Sequence, residues 1–208
     1  MASIKIPSLL ERVWIFGYGS LIWKPGFHYD DRMTGYIKGV SRRFWQSDIL
    51  YRGTKTKPGR VATLVPMKDG KVWGAAYEVV GRNLINEAVS YLDKRETVGG
   101  GYTMVSTMFY RCPGRRCHRR TRVPAIVYLA THGNRFFTGP EPDDLIAERI
   151  IDAEGKSGHN VEYVIRLAEF MHNYCPERDE HLLRLESLIK TKLELRDRLK
   201  AHTIEPVR

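Results

Sequence analysis

Cysteine and long apolar runs are scarce in this sequence of 208 residues. Its three cysteines, an odd and low number, argue against a disulfide scaffold and favour a reducing compartment. No run approaches the roughly 18 apolar residues that a membrane helix needs. The N-terminus shows no secretory signal, because Glu11 and Arg12 interrupt the apolar stretch near it. We therefore predict a cytoplasmic protein with no membrane partner.

The sequence also lacks internal repeats and long linkers, which predicts one globular domain, with or without an appendage. Lysine and arginine total 34 against 24 aspartate and glutamate, a net charge of +10. This excess favours nucleic acid, an anionic membrane or acidic small molecules as partners, and does not choose among them. Neither composition nor spacing assigns an oligomeric state.

Strand signals fill the first half of the chain and helical signals the last third. Asp69-Gly70, between two β-branched segments, predicts a hairpin. A helix is predicted from Asn83 to about Arg95. Strands followed by helices predict an α+β fold. The predicted strands are 13–16, 36–45, 60–65, 72–80, 102–110 and 123–130, and the later helices begin near 142, 161 and 182.

A glycine-rich segment, Gly17-Tyr18-Gly19-Ser20, follows the first predicted strand. Successive backbone amides in such a segment can hold an anion. A dinucleotide fingerprint is excluded, because its third glycine would fall at Ile22 and no helical pattern follows. Spacing alone favours a tight turn over an anion site.

A connector rich in cysteine and arginine joins the last two predicted strands. Cys112, Cys117 and His118, with His132 farther along, suggest metal ligands, but their spacing is wide and the surrounding positive charge opposes a cation. The arginines could instead contact phosphates, although a solvated loop is the simpler interpretation. These arginines are Arg111, Arg115, Arg116, Arg119, Arg120 and Arg122.

Glu96 is the most notable carboxylate. It ends a predicted helix, where the negative end of the helix dipole raises a carboxyl pKa, as a general base working near neutrality requires. At about 100° per residue, Glu96 falls at the margin of the apolar face and Glu87 on the solvent side. Position alone favours a solvated helix end over a catalytic group.

Six ordered blocks between about Trp14 and Leu188 together resemble the ChaC family, the glutathione-specific γ-glutamylcyclotransferases. The similarity is carried by segments of apolar and glycine-rich sequence, by a segment that holds Glu96, and by a late segment that holds Tyr163. The blocks are 13–23, 41–46, 58–65, 72–77, 91–102 and 157–163.

This resemblance implies a closed or nearly closed mixed β-barrel with helices packed around it. It implies that glutathione is the small-molecule partner and is cleaved to 5-oxoproline and Cys-Gly without cofactor or metal, and it disfavours nucleic acid. Glu96 would accept the proton, and Tyr163 would reach the site. The γ-glutamyl head group would be held by Ile15, Phe16, Gly17, Tyr18, Gly19, Ser20 and Leu21.

Three segments depart from the family pattern. We expect a domain over 13–193, an N-terminal extension over 1–12 and a charged C-terminal tail over 194–208, with the connector 111–122 unlike the usual strand link. Two alternatives stay open beside the main hypothesis, and the connector is the reason for the first of them. One is a basic protein on the same fold that binds nucleic acid or another polyanion. The other is a cyclotransferase for other γ-glutamyl compounds.

Overall fold

The computed structural model describes residues 11–98, 101–111, 122–130 and 133–203, and its centre is a closed β-barrel. The order around the barrel is β1-β3-β2-β4-β5, and β1 closes it by pairing in parallel with β5, while the other neighbours are antiparallel. The predicted closed mixed barrel is therefore confirmed. The strands are β1 (Arg12–Gly17), β2 (Asp31–Asp48), β3 (Gly59–Val80), β4 (Tyr102–Arg111) and β5 (Arg122–Ala130).

The helices lie mostly after the barrel strands in the chain, which confirms the α+β class. A 3₁₀ turn, Ser20–Ile22, follows β1, and a π-helical turn, Asp93–Val98, extends the first helix. Two short strands, β6 (Glu154–Gly155) and β7 (Gly158–His159), form a hairpin between the second and third helices. The helices are α1 (Arg82–Leu92), α2 (Asp143–Asp152), α3 (Asn160–Tyr174) and α4 (Glu180–Thr203).

The hydrophobic core fills the barrel and continues beneath the helices. Inside the barrel, the rings of Phe16 and Phe109 pack with centroids 5.7 Å apart. The apolar stripe predicted for the last helix is buried, because α4 packs on α2. That stripe consists of Leu182, Leu185 and Ile189, which are buried, and Leu193, which is partly buried; the core residues of α2 include Ile146 and Ile150.

The hairpin predicted at Asp69-Gly70 is wrong. Both halves of β3 pair with β2 rather than with each other, and the register shifts between Lys38 and Val40. Asp69 has φ of 60°, so the pair supplies a left-handed backbone conformation. A β-bulge uses that conformation as readily as a hairpin turn does. The Asp-Gly pair therefore does not distinguish a bulge within one strand from a turn between two strands.

Several predicted features lie at or beyond the edge of the described residues. Cys112, Cys117, His118, His132 and most arginines of the connector lie outside them, as do residues 1–10 and 204–208. Residues 194–203 continue α4, and Arg196 pairs with Asp152 of α2 at 2.7 Å. Within the described ranges, no helix has the length and apolar character needed to cross a membrane.

Candidate active site

A cavity of about 400 Å³ is lined by residues that lie far apart in the sequence, from Tyr18 to Tyr163. The 3₁₀ turn after β1, the end of β2, the π-helical turn after α1 and the start of α3 all contribute to its wall. Its lining is unusually rich in phenol groups, which can donate and accept hydrogen bonds without carrying charge. The tyrosines are Tyr18, Tyr51, Tyr91, Tyr102, Tyr128 and Tyr163.

The glycine-rich segment forms one wall, where Tyr18, Gly19, Ser20 and Leu21 line the cavity. Buried side chains of the barrel hold its backbone carbonyls. Arg42 of β2 donates from Nε to the carbonyl of Tyr18 at 3.1 Å. Tyr77 of β3 donates from Oη to the carbonyl of Leu21 at 2.8 Å. Because a trans peptide directs its N–H opposite to its C=O, the amide of Gly19 points away from the buried guanidinium.

Gly19 and Tyr163, 144 positions apart in the sequence, meet at this wall. A Cβ atom on Gly19 would lie 2.6 Å from Oη of Tyr163, so only glycine fits without displacement. The same hydroxyl accepts a hydrogen bond from the amide of Ala62 at 3.2 Å. The edge-to-face rings of Trp23 and Phe44 hold the Tyr163 ring between them. The phenol is therefore fixed against the turn.

Glu96 also lines the cavity, and its side chain is 18% exposed. Burial raises the pKa of this carboxyl, Arg95 lowers it, and Asp48 raises it again, for a net rise. Glu87 lies on the exposed side of α1. The helical-wheel estimate assumed a regular α-helix up to Glu96, whereas the wider π-helical turn begins at Asp93.

The pKa values of the surrounding phenols are raised mainly by burial. This holds for Tyr18 and Tyr102, and burial raises the pKa of Tyr163 to about 12. These groups are therefore neutral near pH 7, when they can donate a hydrogen bond to an anion or to a developing oxyanion. Negative charge at Glu96 contributes to all three shifts.

Three of the residues predicted to hold substrate lie elsewhere. Ile15 and Phe16 are completely buried in the barrel core, and Gly17 packs against Leu21. Among the described residues that line the cavity, these three do not occur. The chain brings Tyr18, Gly19, Ser20, Leu21, Glu96 and Tyr163 together around one space, and their contact with substrate stays a prediction.

Two further charged residues that line the cavity, Asp48 and Arg95, were not predicted from the sequence. Oδ1 of Asp48 accepts hydrogen bonds from three successive amides, those of Leu50, Tyr51 and Arg52, at 2.6–3.1 Å. An aspartate at a strand end is a local signal for such a turn. Arg95 makes contacts across the fold that no local pattern indicates. Within the described ranges, no group of three or more His, Cys, Asp or Glu is arranged to hold a metal ion.

Comparison with known proteins gives consistent matches over most of the chain. The glutathione-specific gamma-glutamylcyclotransferase 1 of Mus musculus is 44% identical over 184 residues, which is 88% of this chain and 80% of the mouse protein. The gamma-glutamylcyclotransferase 2-1 of Arabidopsis thaliana is 35% identical over 197 residues, 91% of this chain and 87% of that protein.

A solved structure has the same architecture. The yeast γ-glutamyl cyclotransferase specific to glutathione has a TM-score of 0.76 and 29% identity, covering 87% of this chain and 99% of the yeast chain. The family model described as ChaC-like protein matches residues 13–192. That match spans the barrel strands, the cavity and about the first half of α4. The chain therefore belongs to the ChaC-like family.

Proposed function

We propose that this protein is a glutathione-specific γ-glutamylcyclotransferase that converts glutathione to 5-oxoproline and Cys-Gly. Relatives from Mus musculus, Danio rerio and Homo sapiens, at 42–45% identity, bear that activity in their names. The observation that carries the proposal is a carboxylate of raised pKa, Glu96, in the wall of a cavity that is also lined by a turn with backbone amides.

The reaction requires no group from the enzyme to become covalently attached. The α-amino nitrogen of the γ-glutamyl group attacks its own γ-carbonyl carbon and forms the C–N bond of a five-membered lactam. The C–N bond to the cysteinyl nitrogen then breaks, and that nitrogen leaves as an amine. Folding the substrate so that these two atoms meet can contribute several kcal/mol to catalysis.

Glu96 is the proposed proton carrier. Its carboxylate accepts a proton from the α-ammonium, which frees the nitrogen lone pair for attack, and gives that proton to the leaving nitrogen. The attacking nitrogen loses a second proton as the lactam forms, and the departing amine takes up one proton to become an ammonium group, so that no net proton is gained or lost. Burial supports the first of these steps, the acceptance of the proton, because a raised pKa makes the carboxylate a stronger base near neutral pH. Water need not take part, since no hydrolysis occurs.

The turn after β1 is the proposed anion cradle. Backbone amides of Tyr18, Gly19, Ser20 and Leu21 can receive the substrate's α-carboxylate or the oxyanion that develops on the γ-carbonyl. The bonds from Arg42 and Tyr77 to carbonyls of this turn support that role, because they hold the backbone in one orientation before substrate binds. The phenol of Tyr163, fixed beside Gly19, would donate a further hydrogen bond.

The test is to incubate purified protein with reduced glutathione and to quantify both products. We expect 5-oxoproline and Cys-Gly in equal amounts, and much less turnover with γ-glutamylalanine, which lacks the Cys-Gly portion. Release of free glutamate in place of 5-oxoproline would contradict the cyclisation. Equal turnover of both substrates would contradict glutathione specificity.

We also propose that the protein acts in the cytoplasm. The support is its cysteine content, three in 208 residues, which is typical of proteins in a reducing compartment. Fractionation of cells that express the tagged protein tests this proposal. Recovery with a cytoplasmic marker is expected, and recovery with a secretory or organellar marker would contradict it.

A further inference from the structure

Arg95 connects Glu96 to the turn that follows β1. Its Nε forms an ion pair with Oε1 of Glu96 at 2.9 Å. Its Nη2 donates to Oγ of Ser20 at 2.7 Å, and its Nη1 donates to the carbonyl of Lys24 at 2.6 Å. The Arg95 side chain, which is 14% exposed, therefore contacts both the Glu96 carboxylate and the turn after β1.

The shape of the guanidinium group makes this bridge directional. Its N–H donors lie in one plane at fixed angles, so the three contacts fix the distance and orientation between Glu96 and the turn. An ammonium group is a compact charge on a flexible stem and cannot reproduce that geometry. The contact with Ser20 is side chain to side chain, and the one with Lys24 is to backbone, so the turn is held at both ends.

Arg95 also sets the electrostatic surroundings of Glu96. It is the group that opposes the upward effect of burial and of Asp48 on the pKa of Glu96. Phenols from several elements interact electrostatically with Glu96, and their raised pKa values keep them uncharged. These phenols are Tyr18, Tyr51, Tyr102, Tyr128 and Tyr163. Among the residues that the structure describes, Arg95 and Asp48 are thus the charged neighbours that act on this carboxyl.

We propose that Arg95 is a positioning residue that locks the Glu96 carboxylate to the substrate-holding turn and limits how tightly that carboxylate keeps its proton. The inference rests on the proposed function. A carboxyl group buried without a cation would take a proton readily and return it poorly. With Arg95 alongside, protonated Glu96 is a stronger acid and can deliver the proton to the leaving amine.

The experiment compares Arg95→Met, Arg95→Lys and a matched control, Lys94→Met. Lys94 is the preceding residue and is exposed, so its loss removes one positive charge from the same helical turn. Two quantities are measured for each variant. One is the titration midpoint of the Glu96 carboxyl, followed by ¹³C NMR and assigned by its absence in Glu96→Gln. The other is the pH profile of kcat/KM for glutathione.

Arg95→Met should raise the Glu96 midpoint and move the acid limb of the pH profile upward in the same direction. Arg95→Lys should bring the midpoint back toward the wild-type value, because a positive charge is restored. Its kcat/KM should stay lower than the wild-type value by up to about 10²-fold, because the planar set of N–H donors is lost. Lys94→Met should leave the midpoint where it is. Thermal unfolding of each variant verifies that the fold is retained.

Ser20→Ala separates the two parts of the proposal. It removes the side-chain link to the turn and keeps both the ion pair and the bond to the Lys24 carbonyl, so KM should rise without a shift in the midpoint. An unchanged midpoint in Arg95→Met would overturn the electrostatic part, and full recovery by Arg95→Lys would overturn the geometric part. The NMR midpoints are independent of turnover, so an inactive wild-type protein would refute the proposed function and still leave the role of Arg95 testable.

Discussion

At the scale of single residues, Glu96 is held in a state that costs stability. Its pKa is raised in the folded protein, chiefly by burial. The folded state therefore binds this proton more firmly than the unfolded state does. As pH rises from the unfolded pKa through the folded pKa, the free energy of unfolding decreases, and above that window the full cost of the buried charge remains.

Glu96→Gln should therefore be more stable than the wild type near neutral pH. The amide has nearly the shape of the protonated acid and never ionises, so it avoids the cost of the buried charge. The difference in Tm should grow as pH rises through the Glu96 titration and should vanish below about pH 4, where the carboxyl is protonated in both states.

Thermal melts at several pH values measure this difference, with Glu87→Gln as the matched control. Glu87 is exposed on α1, so its variant should follow the wild-type pH dependence. A Glu96→Gln protein that is less stable than the wild type at neutral pH would show that the ion pair with Arg95 outweighs the cost of burial.

At the scale of secondary-structure elements, the turn after β1 and helix α3 depend on one close contact. Gly19→Ala places a methyl group 2.6 Å from the Tyr163 hydroxyl, so the turn or the phenol must move. A displacement of about 1 Å at a catalytic site can cost about 10²-fold in rate. We expect Gly19→Ala to lower kcat/KM by a factor of this order.

Tyr163→Phe in the same chain removes the clashing atom and provides the control. The next ring atom, Cζ, would be 3.6 Å from the added methyl group, which is an ordinary contact. The single Tyr163→Phe variant should lose about 1–3 kcal/mol of stability, because the buried amide of Ala62 is left without its acceptor. A double variant with less activity than either single variant would refute steric conflict as the cause.

The element scale also shows what local sequence could predict. Apolar periodicity located the barrel strands and the buried stripe of α4, because burial of one face leaves a repeating pattern in the chain. It did not predict the π-helical turn at 93–98, whose Asp93 accepts a hydrogen bond from Tyr128 of β5 at 2.9 Å. Such a contact depends on the closed barrel, as do the contacts of Arg95 and the meeting of Gly19 with Tyr163.

At the scale of the whole molecule, α4 links the outer helical layer to the active-site turn. Arg42 is fully buried and donates to Asp179, just before α4, at 2.6 Å as well as to the carbonyl of Tyr18. Asp179 in turn accepts a hydrogen bond from the amide of Leu182. The first turns of α4 therefore support the site, whereas its last turns lie far along an exposed helix.

Deleting residues 194–208 should leave both activity and fold nearly unchanged. Leu195 and Leu199 are more than half exposed, and the ion pair of Arg196 with Asp152 lies at the surface, where such pairs contribute about 0–1 kcal/mol. Leu185→Ala, in the buried stripe of the same helix, should cost about 2–5 kcal/mol. Denaturant unfolding measures the free energy of unfolding of the deletion variant and of Leu185→Ala. If the deletion lowers it as much as Leu185→Ala does, residues 194–208 are part of the folded domain.

The most direct test of the account is the rate of 5-oxoproline formation from glutathione by three proteins: the wild type, Glu96→Gln and Glu87→Gln. Glu96→Gln keeps the shape of the cavity and removes the proton acceptor, so its kcat should fall by ~10²–10⁴-fold, the range typical of general acid–base groups. Glu87→Gln should retain nearly the wild-type rate. Equal losses in both variants, or a Glu96→Gln enzyme with near-normal kcat, would contradict the assignment of Glu96 as the base.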